Sequence, residues 1–477
     1  MPVVNSSAKL HILLACFPAF GHTIPLLELA KKLSRHNRVT FAVSAANIAK
    51  LRALGVVDDD AIELVGIEDG VEEEFDNPAD LGTLDRILAG VLPATETFLS
   101  ALPARHESTA ERSALGQTGV TYPVDVVIVD MFLGKPVAVC HARGIPFYIF
   151  NPSNAMFLQH TFPLTVDSPT VPLEQAEIFI LLPPSGQPMR TPFSHHAKSL
   201  FLPIRSNYHL AKGILINTVQ CLEEDGLREI PKEPSMAGVS VFCVGPLISV
   251  NKTTKSNVEV EGRVKDWLDR QTDGSVVFLS FGTIATPKPE EIKRIGQALL
   301  VLGQPFIWSL RTQHHQFLPE ELVTKTQSGS VEDDRHLITP WTPQKLVLAY
   351  SAVAVFVSHC GWNSTLEAVA SGKATVAWPM FADQLHNALL TVQWGTGVLI
   401  PETGVHCPRV VPVEEIVAAI AEVGGWKDEK GTVQQQQSSM LSRYQVAAKA
   451  WAAQIAAAWK PGGTSSTEFD RFLEELH

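Results

Sequence analysis

The chain has no apolar run that approaches the roughly 20 residues needed to cross a bilayer. It has no basic cluster either. Charged residues make up 18% and the net charge is −12, which argues against nucleic acid as a partner. Its six cysteines, Cys16, Cys140, Cys221, Cys243, Cys360 and Cys407, form no CxxC pair. Most sit beside apolar residues, so they read as buried, reduced thiols rather than a disulfide framework. LHILLACFPAF at 10–20 is apolar near the start, but Pro18 interrupts it and no small-residue cleavage site precedes Gly21. Repeats and low-complexity tracts are absent, and QQQQ at 434–437 is too short to matter. The G-x-S-x-G of a serine hydrolase is absent as well. The one Asp-x-Asp, Asp58 to Asp60 in VVDDDAIEL, reads as an acidic loop rather than a metal site beside a strand. What remains is a globular protein expected in the cytoplasm, as a monomer, with no metal and no cofactor.

A chain of 477 residues, 45% of them hydrophobic, suggests two domains of roughly 200 residues each. LHILLA (10–15), VTFAVS (39–44), DVVIVD (125–130), IPFYIF (145–150) and GILINT (213–218) read as strands. Between the first two, IPLLELAKKLSRH (24–36) places Leu26, Leu29, Ala30 and Leu33 on one helical face. A second series follows: SVVFLSFG (275–282), PFIWSL (305–310), HLITPW (336–341), VAVFVS (353–358) and ATVAWP (374–379). Near-continuous apolar strands alternating with helices imply α/β domains with parallel sheets covered on both faces. The polar stretch ISVNKTTKSNVEVEGR separates the series and reads as a linker. The expected organisation is a first Rossmann-like domain over 1–248, a linker over 249–263, a second domain over 264–455 and a terminal helix over 456–477 that docks back on the body. Such halves bind ligands in a cleft between them, at the carboxyl ends of their strands.

HCGWNSTLEAVASG (359–372) follows directly on the apolar VAVFVS. A strand feeding a helix through a turn rich in glycine and hydrogen-bonding groups can make an anion site at the helix N-terminus. Gly361 admits a ligand to the backbone, and His359, Asn363 and Ser364 can donate hydrogen bonds. The same residues are also what a well-capped helix needs. Neighbouring positions favour the anion site. Trp341 can stack on a flat base, and Glu367, four residues beyond Asn363, can accept from ribose hydroxyls. Asp383 and Gln384, after ATVAWPMFA, can hold sugar hydroxyls.

The block WTPQKLVLAYSAVAVFVSHCGWNSTLEAVASGKATVAWPMFADQ, 341–384, resembles the signature box of plant secondary-product UDP-glycosyltransferases, family 1. It matches in length, in its leading Trp-x-Pro-Gln, its central His-Cys-Gly-Trp-Asn-Ser, its Glu and its closing Asp-Gln. FGHTIPLLELA, SFGT at 280–283 and PFIWSLR at 305–311 extend the likeness along the chain. The resemblance implies a GT-B fold, two Rossmann-like domains facing across a cleft, and a UDP-dependent hexosyltransferase. It implies that Trp341 stacks on uracil, with Thr342 beside it, that Gln344 contacts the ribose region, and that Glu367 binds the ribose hydroxyls. His359, Gly361, Asn363 and Ser364 would hold the diphosphate, with Gly282 and Thr283 assisting and Ser309 touching the nucleotide. Trp362, Asp383 and Gln384 would hold the hexose, and a closing Gln points to glucose.

In the first half, CFPAFGHTIP places His22 between a strand and a helix, where the helix dipole favours a neutral, proton-accepting imidazole. Asp130 closes DVVIVD at the same sheet edge, placed to stabilise the imidazolium. The resemblance casts them as catalytic base and supporting acid in an inverting transfer that gives a β-O-glucoside. Aromatic residues of this half, Phe20, Phe132, Phe150 and Phe201 with Phe17, Met156, Phe157 and Phe193, suit a flat phenolic acceptor such as a flavonoid. The second half looks closest to flavonoid and anthocyanidin 3-O-glucosyltransferases. One departure from the resemblance stands out: Pro152 falls where many of those relatives carry a hydroxyl that contacts the sugar, so that either Ser153 or Asn154 substitutes or the contact is lost. The alternatives are transfer to terpenoid or other scaffolds or to N, S or C atoms, a UDP-sugar epimerase or hydrolase, and a non-catalytic UDP-sugar sensor.

Overall fold

Strands β1 (His11–Ala15) and β4 (Val126–Asp130) are buried at every position, as expected of parallel strands covered on both faces. The computed structural model describes residues 9–53, 61–71, 81–113, 118–134, 136–161, 207–248, 255–284, 286–323, 326–327, 330–404, 407–426 and 441–476. The chain divides into two units. One is Met1–Lys252 with Ala458–His477, and the other is Thr253–Ala457.

The first unit adds β2 (Arg38–Ser44), β3 (Ile62–Ile67), β5 (Phe147–Asn151), β6 (Gly213–Ile216) and β7 (Ser240–Cys243). Every pairing is parallel, in the order β3-β2-β1-β4-β5-β6-β7. Side chains alternate between two cores. Leu13, Val127, Val129, Phe147 and Ile149 join one, with the helix Leu81–Ser100. Ile12, Leu14, Ile128, Tyr148 and Phe150 join the other, with the helix Phe20–Leu33. The apolar start of the chain is thus a central strand. The edge strands β3 and β7 lack the long apolar signature of the central ones, and the sequence pattern did not mark them.

The helix Thr464–Glu475 closes the second of these cores. Phe472 is fully buried, with its ring 5.0 Å from Tyr148 and 5.3 Å from Phe242. Ser240 Oγ donates to Glu475 at 2.8 Å, Ser465 Oγ donates to the Gly245 carbonyl at 2.5 Å, and the Lys32 ammonium sits 3.4 Å from the Trp459 ring.

Among the described residues the second unit has eight strands: β8 (Val276–Ser280), β9 (Phe306–Ser309), β10 (Thr326–Gln327), β11 (Ser330–Glu332), β12 (His336–Thr339), β13 (Val353–Ser358), β14 (Ala374–Ala377) and β15 (Gly397–Leu399). Their order is β10-β11-β12-β9-β8-β13-β14-β15. The strands from β12 to β15 in that order pair in parallel. The short edge strands β10 and β11 pair antiparallel, so the expectation of a purely parallel sheet is corrected at this edge. The linker is corrected too. Residues 255–263 belong to the helix Lys255–Asp269, which buries Val264, Trp267 and Leu268. The apolar positions 260, 264, 267 and 268 have helical spacing, but most lie beyond Arg263, where the polar stretch was cut.

Phe472→Ala is expected to destabilise the first unit by about 3 kcal/mol. Glu474→Ala, at an exposed position of the same helix, should stay within about 0.5 kcal/mol of wild type. Denaturant midpoints of the two variants, read by Trp fluorescence, check this.

Candidate functional site

In each sheet the chain runs outward from a first strand to one side and then returns to that strand's other side. The switch falls between β1 and β4 in the first unit and between β8 and β13 in the second. At such a point neighbouring loops leave in opposite directions and open a crevice at the carboxyl ends of the strands.

At the first switch point His22 is the third residue of the helix that follows β1, and Asp130 is the last residue of β4. His22 Nδ1 lies 2.9 Å from Asp130 Oδ2 and 3.1 Å from Oδ1. Asp130 is fully buried, and its Oδ1 also accepts from the Phe132 N–H at 2.9 Å, which fixes the carboxylate. A carboxylate only accepts, so Nδ1 carries the proton and Nε2 presents its lone pair. The imidazole packs against two aromatic rings, Phe132 at 4.4 Å and Phe17 at 5.3 Å, which also touch each other at 5.3 Å. Behind it, burial and the Asp130 charge push the Cys16 thiol far up, so it stays protonated.

The expected acceptor residues divide. Phe20 and Phe132 are half-buried, and the Phe132 ring packs against His22 at 4.4 Å. Phe150 is fully buried on the face that packs against the helices Phe20–Leu33 and Thr464–Glu475, so its assignment to an acceptor pocket is corrected. Two-residue alternation along β5 sends it there with Tyr148. Ser153 is 7% exposed in a turn closed by its N–H donating to Asn151 Oδ1 at 3.0 Å. Asn154 is buried, and its Oδ1 accepts from the Phe157 N–H at 2.5 Å, capping the helix Ala155–Thr161. Phe193, Phe201 and Asp58 to Asp60 lie outside the described residues.

Sequence reasoning missed Glu223. Its buried carboxylate accepts from the Ala155 N–H at 2.8 Å, the Met156 N–H at 3.3 Å and the Thr218 hydroxyl at 2.5 Å. It thereby anchors the helix that carries Met156 and Phe157. Nothing local in QCLEEDG marks it, because its partners come from two other segments.

At the second switch point the loops are Phe281-Gly282-Thr283 after β8 and His359-Cys360-Gly361 after β13. The His359 ring lies between the two glycines. A Cβ on Gly282 or on Gly361 would sit 2.6 Å from Nε2. Burial pushes His359 down to about 4, against the raising effect of the Ser280 backbone, so the ring is a neutral donor at physiological pH. The helix Trp362–Ala370 takes Gly361 as its N-cap, with no side-chain cap. Asn363 and Ser364 lie inside the first turn and are not the N-cap residue.

Gln344 begins the helix Gln344–Ala349, and its Nε2 donates to Ser364 Oγ at 3.0 Å and to Glu367 Oε2 at 2.7 Å. Burial raises the Glu367 carboxyl, and the Gln344 hydrogen bond and Lys345 oppose the rise. Trp341 is 38% exposed after β12, unusual for an indole, while Thr342 is buried and Ser309 half-buried at the end of β9. Arg311 Nη2 donates to the Thr283 carbonyl and ties the β8 loop to the end of β9. Trp362 is 4% exposed and its ring packs 6.3 Å from Trp394. Asp383 is the N-cap residue of the helix Gln384–Gln393. Gln384 Oε1 accepts from the N–H groups of Met380 at 2.9 Å and Phe381 at 3.1 Å. Its amide is therefore oriented, and the NH2 is the part not used by the loop.

All six cysteines are unpaired. Among the described residues no three His, Cys, Asp or Glu side chains gather as a metal cluster, and no helix is long and apolar enough to cross a membrane.

Burial pushes Glu223 up to about 7. The folded carboxyl keeps its proton to that pH, whereas an unfolded glutamate releases it near about 4.3. Stability is therefore lost as the pH rises through this window. Glu223→Gln should remove that slope, and thermal midpoints measured from pH 4.5 to 8 check it.

The family model for UDP-glucoronosyl and UDP-glucosyl transferase matches residues 251–406. UDP-glycosyltransferase 72B2 of Arabidopsis thaliana is 30% identical, over 80% of this chain and 82% of its own. Anthocyanidin 3-O-glucosyltransferase 5 of Manihot esculenta is 29% identical, over 91% of this chain and 90% of its own. A Medicago truncatula glycosyltransferase solved with UDP-glucose superposes with a TM-score of 0.74 at 23% identity, covering 98% of each chain, which shows the GT-B fold. With its two switch-point sheets, its full-length likeness to these enzymes and its match to the family model, the chain belongs to the UDP-glycosyltransferase family, and it is a glycosyltransferase.

Proposed function

We propose that this enzyme transfers glucose from UDP-glucose to a hydroxyl of a lipophilic phenolic, such as a flavonoid, with inversion and with no cofactor beyond the donor. The observation that supports it most is the pair of His22 and buried Asp130, which leaves Nε2 as a base. In the proposed reaction Nε2 takes the proton of the acceptor hydroxyl. The oxygen bonds to the anomeric carbon as the bond from that carbon to the UDP oxygen breaks, and the electron pair leaves with UDP. Asp130 stabilises the imidazolium. The α-linked donor gives a β-glucoside. Neutral His359 and the N-terminal amides of the helix Trp362–Ala370 are proposed to hold the departing diphosphate. Trp341 is proposed to stack on uracil, Gln344 and Glu367 to meet the ribose, and Asp383 and Gln384 to meet the hexose.

The half-buried Phe132 ring against His22 supports a flat aromatic acceptor. The relatives leave the acceptor open. The Manihot enzyme named for anthocyanidin and the Arabidopsis enzyme with a general name differ by a single point of identity.

The test is product mass spectrometry with UDP-glucose and UDP-galactose, with a chelator, against flavonols, anthocyanidins, simple phenols and terpenoids. One hexose gained on a phenolic from UDP-glucose alone is the expected result. Hexose gained only on terpenoids would move the acceptor class, and transfer from UDP-galactose alone would sink the glucose assignment. His22→Ala is expected to lower kcat by roughly 10²–10⁴-fold with UDP binding unchanged. Gly282→Ala and Gly361→Ala push a Cβ against His359 and should weaken UDP binding about tenfold by calorimetry. Gly262→Ala, open on a helix surface, should leave it unchanged.

A further inference from the structure

We propose that Asn387 is a positioning residue of the donor site, one that locks the phosphate loop and the sugar-binding carboxylate into a single register. Asn387 is fully buried in the helix Gln384–Gln393. Its Nδ2 donates to the Cys360 carbonyl at 2.8 Å and to Asp383 Oδ2 at 3.1 Å. A primary amide has two N–H groups on one nitrogen, and here each has an acceptor.

Both acceptors belong to strained places. Cys360 has φ +60° and lies between His359 and Gly361, and Ala382, directly before Asp383, has φ +55°. Non-glycine residues adopt this region only where their surroundings hold them there. For Cys360 those surroundings include two side chains that hold its backbone. The Ser358 hydroxyl accepts from its N–H at 3.0 Å, and Asn387 donates to its carbonyl. Asn387 also restricts rotation of the Asp383 carboxylate. The strands leading into these loops, β13 and β14, are adjacent. One amide therefore sets both His359 with Gly361 and Asp383. Aspartate, although the same size, cannot do this: even with the proton that a buried carboxyl beside another carboxylate holds, it has one hydrogen to give where Asn387 gives two.

The inference rests on the donor reading above, in which the loop meets the diphosphate and Asp383 the hexose. Asn387→Ala and Asn387→Asp are compared with wild type, Asp383→Ala and the Asp383→Ala/Asn387→Ala double variant. The readouts are UDP affinity by calorimetry, kcat and KM for UDP-glucose, and thermal midpoints. Asn387→Ala is expected to raise the UDP Kd about tenfold, the worth of roughly one hydrogen bond to a positioned loop. It should lower kcat/KM for UDP-glucose about a hundredfold. In the Asp383→Ala background the same change should still weaken UDP but add no further loss specific to the sugar, because its partner there is gone. Asn387→Asp, which keeps the volume, should show the same UDP defect and keeps the test open if the alanine variant fails to fold. An unchanged UDP Kd in a folded variant, or a sugar loss that adds in full to that of Asp383→Ala, would overturn the role of Asn387. A wild-type enzyme that binds UDP but does not turn over UDP-glucose would instead overturn the donor assignment, and the UDP measurements would still decide the loop half of the proposal.

Discussion

A parallel strand buried on both faces can present polar chemistry only at its ends. That constraint arranges everything else in this molecule. β1, β4, β8 and β13 are buried along their whole length, so their middles carry only packing. The groups that can touch a ligand are pushed into the residues that follow, and the switch in strand order gathers those residues from two neighbouring strands. Both units obey the same rule, with different side chains. The first places an imidazole and a carboxylate together. The second places glycines, a neutral imidazole and the start of a helix together.

The two histidines show how environment divides one residue type into two tasks. His22 is 15% exposed, with a carboxylate on one nitrogen. His359 lies between two glycines, and burial keeps it uncharged. The first is equipped to accept a proton and bear a charge. The second stays neutral and can offer a ligand one N–H without bearing a charge. Gly282 and Gly361 make room for that ring, so the glycines matter here for space as well as for backbone freedom.

Much of this was legible in the sequence. The central strands announce themselves by their apolar runs, and the spacing from Trp341 to Gln384 is specific enough to name a family. His22 follows the first strand and Asp130 closes another in the same half, and the family resemblance supplied their roles. What was not legible required knowledge of direction or of distant partners. Phe150 is an aromatic residue next to functional ones, but which way it points depends on the pleat, and it points into packing. Residues 255–263 look like linker because their apolar partners on the helix lie just beyond the polar stretch. Edge strands β10 and β11 are too short to carry a pattern. Glu223 and Asn387 are ordinary polar residues in sequence. They stand out only once the segments they hydrogen-bond are folded beside them.

The helix Thr464–Glu475 completes a core that begins at Leu10, although Thr253–Ala457 forms a separate unit in between. This has a bearing on synthesis. Domains usually fold as they leave the ribosome, the N-terminal one first. Here the first unit emerges with the β5–β7 face that Phe472 will cover still open, and it waits through about two hundred further residues, Thr253–Ala457, for its last helix. Over that interval Tyr148 and Phe242 lack their final cover. The order of completion along the chain is therefore inverted: the second unit has all of its parts before the first, and the end of the chain seals its beginning.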